Sequence, residues 1–316
     1  MRLAYDRGMV DVEPAGRASE ALPAYVAVAV AGVPEVDVVA VAPLAGGTGA
    51  ATADVARVTA RTPDGRELTL VRKSVRPLRA GRHAEAARAP EHWAYWRREP
   101  LAYASGVLPS GPGLRAPRCF GVETAADTLT LWLEDVVGPE AEPVAAARAL
   151  ASWQASAPVP DVPWLGGHQL AQRLAVTDLD WTQVDADPRV ARVWAARHEL
   201  MAALDGVPSV LSHGDAGLGN LREATGDVVA LDWGTFGVAP VGSDAAHLAL
   251  SAQADVLGPY VDALDGTFAV DDVRRGYRTT LALVGASRVH WMLAAGVSVP
   301  RGYVDLLWRL RPDGVR

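Results

Sequence analysis

Cysteine is almost missing from this chain: Cys119 is the only one in 316 residues. That excludes an intrachain disulfide and any metal site built from several thiolates. Long apolar runs are missing as well. No stretch of about 18 apolar residues occurs, so no membrane-spanning helix is expected. Ala24–Val33 is apolar, but it follows Glu13 and Glu20 rather than a basic segment and does not read as a signal peptide. An excess of positive charge is also absent. The net charge is -7 and the pI about 5.5, without the basic stripe of a nucleic-acid binder. The expectation is a cytoplasmic protein with no nucleic-acid and no membrane partner. Two further scarcities are more informative. Of the 30 Lys and Arg residues a single one is lysine, Lys73, and Asn220 is the single asparagine. Such usage suits a genome that avoids A/T-rich codons, in which Arg replaces Lys wherever a cation suffices. A lysine that persists marks a place where a compact ammonium is needed and a guanidinium fork does not serve.

What is present is a half-apolar chain, 50% hydrophobic, long enough for two domains or one domain of two lobes. A helix is expected over Ala18–Val30. Strand-like stretches follow at Val36–Ala42, Thr52–Thr62 and Glu67–Val75, with a small-residue turn at Leu44–Ala50 and a Pro63-Asp64-Gly65 turn between the last two. Pro90–Gly106 reads as helical, with Pro100 expected to kink or divide it. Arg118–Glu123 and Thr128–Asp135 extend the sheet. Beyond Pro139 the pattern becomes helical over Glu140–Ala155, Gly167–Val176, Pro188–Leu204, Ser243–Val256, Val270–Ala286 and Tyr303–Arg309. A strand pair, Arg222–Glu223 and Val228–Leu231, interrupts it. The fold class is α+β, with a β-rich lobe over 1–135 and a mostly α lobe over 136–316.

The chemistry concentrates in Ser212-His213-Gly214-Asp215-Ala216-Gly217-Leu218-Gly219-Asn220, followed by Leu231-Asp232-Trp233-Gly234. Phosphoryl transfer needs such a set: a carboxylate to hold and deprotonate a hydroxyl, and an amide oxygen with a second carboxylate for Mg²⁺. Mg²⁺ takes few protein ligands and draws the rest from phosphate oxygens. Lys73 lies on the third strand, downstream of Gly46-Gly47-Thr48-Gly49. A lysine on a strand beneath a glycine-rich hairpin can reach phosphates that the hairpin covers.

Lys73 on a third strand, the LWLEDV stretch at the lobe junction, His213-Gly-Asp215-x4-Asn220 and Asp232-Trp-Gly together resemble the aminoglycoside phosphotransferase/choline kinase family, over roughly residues 36–300. The resemblance implies a bilobal, protein-kinase-like fold. It implies that Asp215 is the catalytic base, that Asn220 and Asp232 ligate Mg²⁺, and that Lys73 binds the phosphates of ATP or GTP. It further implies that Gly46, Gly47, Thr48 and Gly49 cover the nucleotide and that the backbone of Glu134, Asp135 and Val136 receives its purine. By the same resemblance His213 would brace the catalytic loop and Asp244 would support that loop from a helix start, where Ser243 is an alternative cap. A helix glutamate is expected beside Lys73, with Glu99 favoured and Glu91 as competitor.

Trp153, Trp164 and Trp181 fall where that family shapes its acceptor pocket, and the acidic stretch Asp178, Asp180, Asp185 and Asp187 offers a surface for a cation. Core packing and a solvated face are the competing readings, with Asp187 a cap for the helix that starts at Pro188. His83, His92, His168, His198, His247 and His290 show no metal-ligand spacing, and no GxSxG elbow appears. The expectation is a kinase that moves a γ-phosphate from ATP or GTP to a hydroxyl of a small molecule, an antibiotic first. A metabolic kinase for a sugar, amino alcohol or nucleoside, or a non-catalytic nucleotide-binding pseudokinase, is the alternative.

Overall fold

Strict alternation runs through residues 55–61, where Ala56, Val58 and Ala60 are buried between less buried neighbours. That period of two makes a strand with one face in a core. The computed structural model describes residues 21–44, 49–313 and 315. Helix α1 (Ala24–Ala31) starts after Pro23 and stops at Gly32. Strands β1 (Asp37–Pro43), β2 (Thr52–Arg61) and β3 (Glu67–Val75) then form an antiparallel meander. Helix α2 (Arg98–Ser105) precedes β4 (Leu114–Arg115), β5 (Cys119–Thr124) and β6 (Leu129–Glu134). The five-stranded sheet has the order β1-β2-β3-β6-β5, with every neighbouring pair antiparallel.

Its two faces are covered differently. Val26 and Ala27 of α1 pack with Val58, Leu70 and Trp132 on one side. Val75, Leu131 and Leu133 meet Trp96 and Tyr103 on the other. Alternation along β3 puts Leu68 and Leu70 on the α1 face and Val71, Lys73 and Val75 on the α2 face. Lys73 is thereby turned into the molecule, 6% exposed.

The helix expected over Pro90–Gly106 forms only from Arg98. Pro100 does not kink it: in the first turn, where the N–H would have no intrahelical partner, proline is tolerated, so it sits near the start of α2. Residues 90–97 run as turns, held by the buried Arg98 guanidinium. It donates to the carbonyls of Pro90 (2.6 Å), His92 (2.7 Å) and Trp93 (2.7 Å), and across the molecule to that of Trp164 (3.1 Å).

Past Val136 the chain becomes helical. Helix α3 (Pro143–Ser156) is capped by the Glu142 side chain, which accepts from Ala145 N at 2.8 Å. It is followed by α4 (Gln169–Leu174), α5 (Pro188–Ala195) and α6 (Arg197–Ala202). The single helix expected over Pro188–Leu204 therefore divides at Ala196, while Asp187 caps α5 as expected, accepting from Arg189 N. Four short strands come next: β7 (Ser209–Ser212), β8 (Leu221–Ala224), β9 (Asp227–Ala230) and β10 (Gly237–Pro240). β7 pairs with β10, and β9 pairs with both β8 and β4. Helices α7 (Ser243–Ala252), α8 (Leu257–Ala263), α9 (Val270–Ala294) and α10 (Tyr303–Arg309) close the fold. The helix expected over Ser243–Val256 ends early because Gln253 turns left-handed (φ 53°), and α9 runs eight residues past its expected end. One large core joins these helices to the short strands, with Trp233, Phe236, Tyr260 and Tyr277 fully buried in it.

Candidate active site

The short strands deliver the polar residues to one place. β7 leads into His213, Gly214 and Asp215, and the β8–β9 hairpin leads into Asp232. Gly214 has φ 79°, in the left-handed region, and a Cβ there would stand 2.6 Å from Thr235 O, so the turn admits glycine alone. Asp232 takes the same region without being glycine (φ 62°), a conformation that the surrounding bonds must enforce.

Asp244 organises the turn from below. Fully buried at the start of α7, it accepts from Ser212 Oγ (2.8 Å), His213 N (2.8 Å), Gly214 N (3.0 Å) and Gln154 Nε2 (2.9 Å). Burial pushes its carboxyl up, against the pull of His213 and these donors. Ser243 is not a cap. Gly242 takes that position without a side-chain bond, and Ser243 Oγ lies 3.1 Å from Thr280 Oγ1. His213 is fully buried against the Trp233 ring (centroids 4.6 Å apart). Its Nδ1 accepts from Asp215 N at 3.3 Å and its Nε2 lies 2.8 Å from Leu231 O, so the ring ties the Asp215 turn to the strand before Asp232.

Lys73 meets two carboxylates, at 2.6 Å from Glu99 Oε2 and 2.8 Å from Asp232 Oδ1. Burial works to lower its pKa, but the Asp232 and Glu99 charges outweigh it and hold the ammonium above its ordinary range. Burial also raises Glu99, against the pull of Lys73. For Asp232 the lysine prevails over burial and holds the carboxyl below its ordinary range. Glu99 accepts from Trp233 N at 3.3 Å as well, which links α2 to the Asp232 segment. Glu91 takes no part in the Lys73 cluster; its backbone carbonyl accepts from Gly167 N and Gln172 Nε2.

Asp215 is half-exposed. Asn220 Nδ2 donates to its backbone oxygen (2.9 Å) and to its Oδ2 (3.3 Å), which turns the amide oxygen of Asn220 away from Asp215. Among the described residues no group of three or more His, Cys, Asp or Glu is arranged to hold a metal unaided. A carboxylate and an amide oxygen are nonetheless hard ligands, the kind that suits Mg²⁺ arriving with phosphates.

Gly46, Gly47 and Thr48 lie outside the described residues. Gly49 is described, and a Cβ on it would stand 3.8 Å from Asp232 Oδ2, so this glycine lies close to that carboxylate. Glu134 and Asp135 spend their side chains on ion pairs, with Arg115 (2.7 Å) and Arg57 (2.8 Å). The Arg115 bonds, opposed by burial, hold Glu134 below the usual carboxylate range. Val136 follows them into the exposed Val137.

The residues expected to shape an acceptor pocket are scattered. Trp153 and Trp164 are core residues, stacked edge-on with Trp233 and tilted on Phe236. Trp181 packs against His290. Asp180 caps the short turn Trp181–Gln183 and Asp178 is exposed. Sequence reading did not single out Arg98, Gln154, Gln169, Arg173 or Arg288. Gln154 gave no signal at all, and the arginines were hidden among so many others.

Comparison with known proteins places this geometry. The family model of the phosphotransferase enzyme family (APH) matches residues 109–279, more than half of the chain. Among solved structures the chain is similar to aminoglycoside phosphotransferase APH(4)-Ia, with 16% identity, 86% of this chain and 94% of that chain covered, and a TM-score of 0.51. It is also similar to choline kinase LicA from Streptococcus pneumoniae, with 13% identity, 86% and 92% coverage and a TM-score of 0.51. A search of curated protein sequences gives no match. At these identities the structures speak for the fold, which is the bilobal protein-kinase-like one. The chain belongs to the phosphotransferase enzyme family and is a small-molecule kinase acting on hydroxyl groups.

Proposed function

We propose that the protein transfers the γ-phosphate of ATP or GTP to a hydroxyl of a small molecule, with Mg²⁺, and that Asp215 is the group that receives the hydroxyl. The observation that carries this reading is the Lys73 ammonium set between Glu99 and Asp232, two carboxylates from different lobes. A cation so fixed is suited to meeting the α- and β-phosphates as they arrive. Asn220 and Asp232 would hold the metal, which when bound neutralises charge on the β- and γ-phosphates. Asp215 orients the acceptor hydroxyl and takes its proton late in the transfer. Asp244 and His213 keep the Asp215 turn in register, and neither touches the reacting atoms. Most of the acceleration then comes from positioning and electrostatics.

The similar structures are named for an aminoglycoside and for choline, which makes antibiotics and amino alcohols the first acceptors to assay. The test is phosphotransfer by wild type and D215N, followed by mass spectrometry for the added phosphoryl group. D215N should lose about 10²–10⁴-fold in kcat, the range of a general base. A D215N rate equal to wild type would refute the role.

A further inference from the structure

Two arginines flank the loop that carries Asp215. Arg288, from α9, places Nη2 3.5 Å from Asp215 Oδ1 and 3.2 Å from His247 Nδ1. Arg173, from α4, reaches the loop through one intermediary. With its amide oriented to satisfy both neighbours, Gln169 donates to Gly214 O (2.6 Å) and accepts from Arg173 Nη2 (3.0 Å). The Arg173 guanidinium also lies over the Trp93 ring, 4.1 Å from its centre.

His168 and His247 nearby add no charge at neutral pH. Burial lowers His168 to about 4, and burial together with Arg288 and Arg173 pushes His247 well below its ordinary value. The Arg288 guanidinium therefore stands beside the Asp215 carboxylate, and the Arg173 guanidinium reaches the same loop through Gln169. A polycationic acceptor would need the opposite balance beside Asp215, and two of the four carboxylates of the acidic stretch are already engaged. Asp180 is taken up by Thr182 N and Oγ1, and Asp187 by Arg189, while Asp178 and Asp185 are exposed.

The side chains of Arg288 and Asp215 are both open to solvent, 27% and 51% exposed, so a molecule that meets one can meet the other. A guanidinium fork matches a carboxylate or phosphate with paired donors. Building on the kinase reading above, we propose that the acceptor carries an oxyanion, a carboxylate or a phosphate monoester, close to the hydroxyl that is phosphorylated. Arg288 binds that oxyanion, and Arg173 supplies the second positive charge. Arg288 is then a specificity-determining residue: it exchanges its long contact with Asp215 for the acceptor and leaves the carboxylate to the hydroxyl.

The experiment uses the full chain with Mg²⁺ and ATP or GTP, and matched acceptor pairs. One set pairs hydroxy-carboxylic acids with their primary amides, another pairs sugar phosphates with the parent sugars, and an aminoglycoside and choline complete the panel. The readout is kcat/KM for each phosphorylated product. The anionic member of a pair should be preferred by about 10- to 100-fold, the worth of one charge-assisted contact. In R288A that preference should collapse to near unity, and R288K should keep part of it. A variant that is merely destabilised lowers both members together and leaves their ratio unchanged, which separates binding from folding. Preference in only one set tells carboxylate from phosphate. Equal or faster turnover of the aminoglycoside or choline, or a preference that survives R288A, overturns the proposal. If no acceptor yields a product that D215N abolishes, the kinase reading itself fails, and this inference with it.

Discussion

Replacing Asp244 with alanine removes the acceptor for four donors at once. Two of them have a second partner: Gln154 Nε2 also donates to Leu211 O (2.7 Å), and Gly214 N also donates to Ser212 Oγ (3.0 Å). His213 N keeps none among the described bonds, and the Ser212 hydroxyl loses the carboxylate it donates to. Stranding a buried donor costs about 1–3 kcal/mol, and the space left by a fully buried carboxyl adds to that, so the total is about 3–5 kcal/mol. For a chain of this size each kcal/mol lowers Tm by about 1.5 °C, which puts D244A roughly 5–8 °C below wild type. D244N keeps the shape and one acceptor oxygen and should lose about half as much. Calorimetry measures this, paired with phosphotransfer far below either melting point, where D244A should also fall because Asp215 is no longer held. A D244A protein melting within about 2 °C of wild type would refute the account of the turn.

Three further outcomes follow from the geometry. K73R keeps the charge, but a planar fork cannot stand between Glu99 and Asp232 as an ammonium does; nucleotide turnover should fall about 100-fold or more, and a wild-type rate of ADP release would contradict this. G214A forces a Cβ onto Thr235 O in the left-handed region and should lower stability by about 2–3 kcal/mol in urea titration, with an unshifted midpoint counting against the turn's need for glycine. His168 should titrate near about 4 in the folded protein. Its unfolded form binds the proton more tightly, so its contribution to stability is complete above pH about 6.5 and is lost as pH falls toward the folded value. H168Q should flatten that part of the stability–pH curve; an unchanged curve would disprove the assignment.

Scarcity made much of the site legible. Lys73 and Asn220 stood out because each is the sole residue of its type, and Asp215 and Asp232 followed from their spacing to Asn220. The meander of β1–β3 was legible because period-two burial and the Pro63-Asp64-Gly65 turn agree. Strands β7 and β10 were not: β8 and β9 are as short but flank a tight turn, whereas β7 and β10 pair across residues 213–236 with no turn to mark them. Arg98 and Arg288 were hidden for the reason that revealed Lys73: in a chain where nearly every cation is arginine, no single arginine is conspicuous. Helix α2 was drawn too long because the aromatics of residues 93–96 suit a helix, yet the carbonyls of Pro90, His92 and Trp93 are satisfied by the Arg98 side chain instead. That is a tertiary decision which local pattern does not carry.

The Arg98 clamp has a consequence for anyone who would recombine this protein with its relatives. One side chain fastens residues 90, 92 and 93 to the carbonyl of Trp164, beyond the junction, and the next residue, Glu99, is the partner of Lys73. The segment that presents Glu99 is therefore moored to the helical half as well as to the sheet it covers. A chimera cut at residue 135 would separate the mooring from its post, however well each half folded. A workable exchange has to carry residues 90–99 with the Trp164 loop, so the unit of inheritance here crosses the visible border between the lobes.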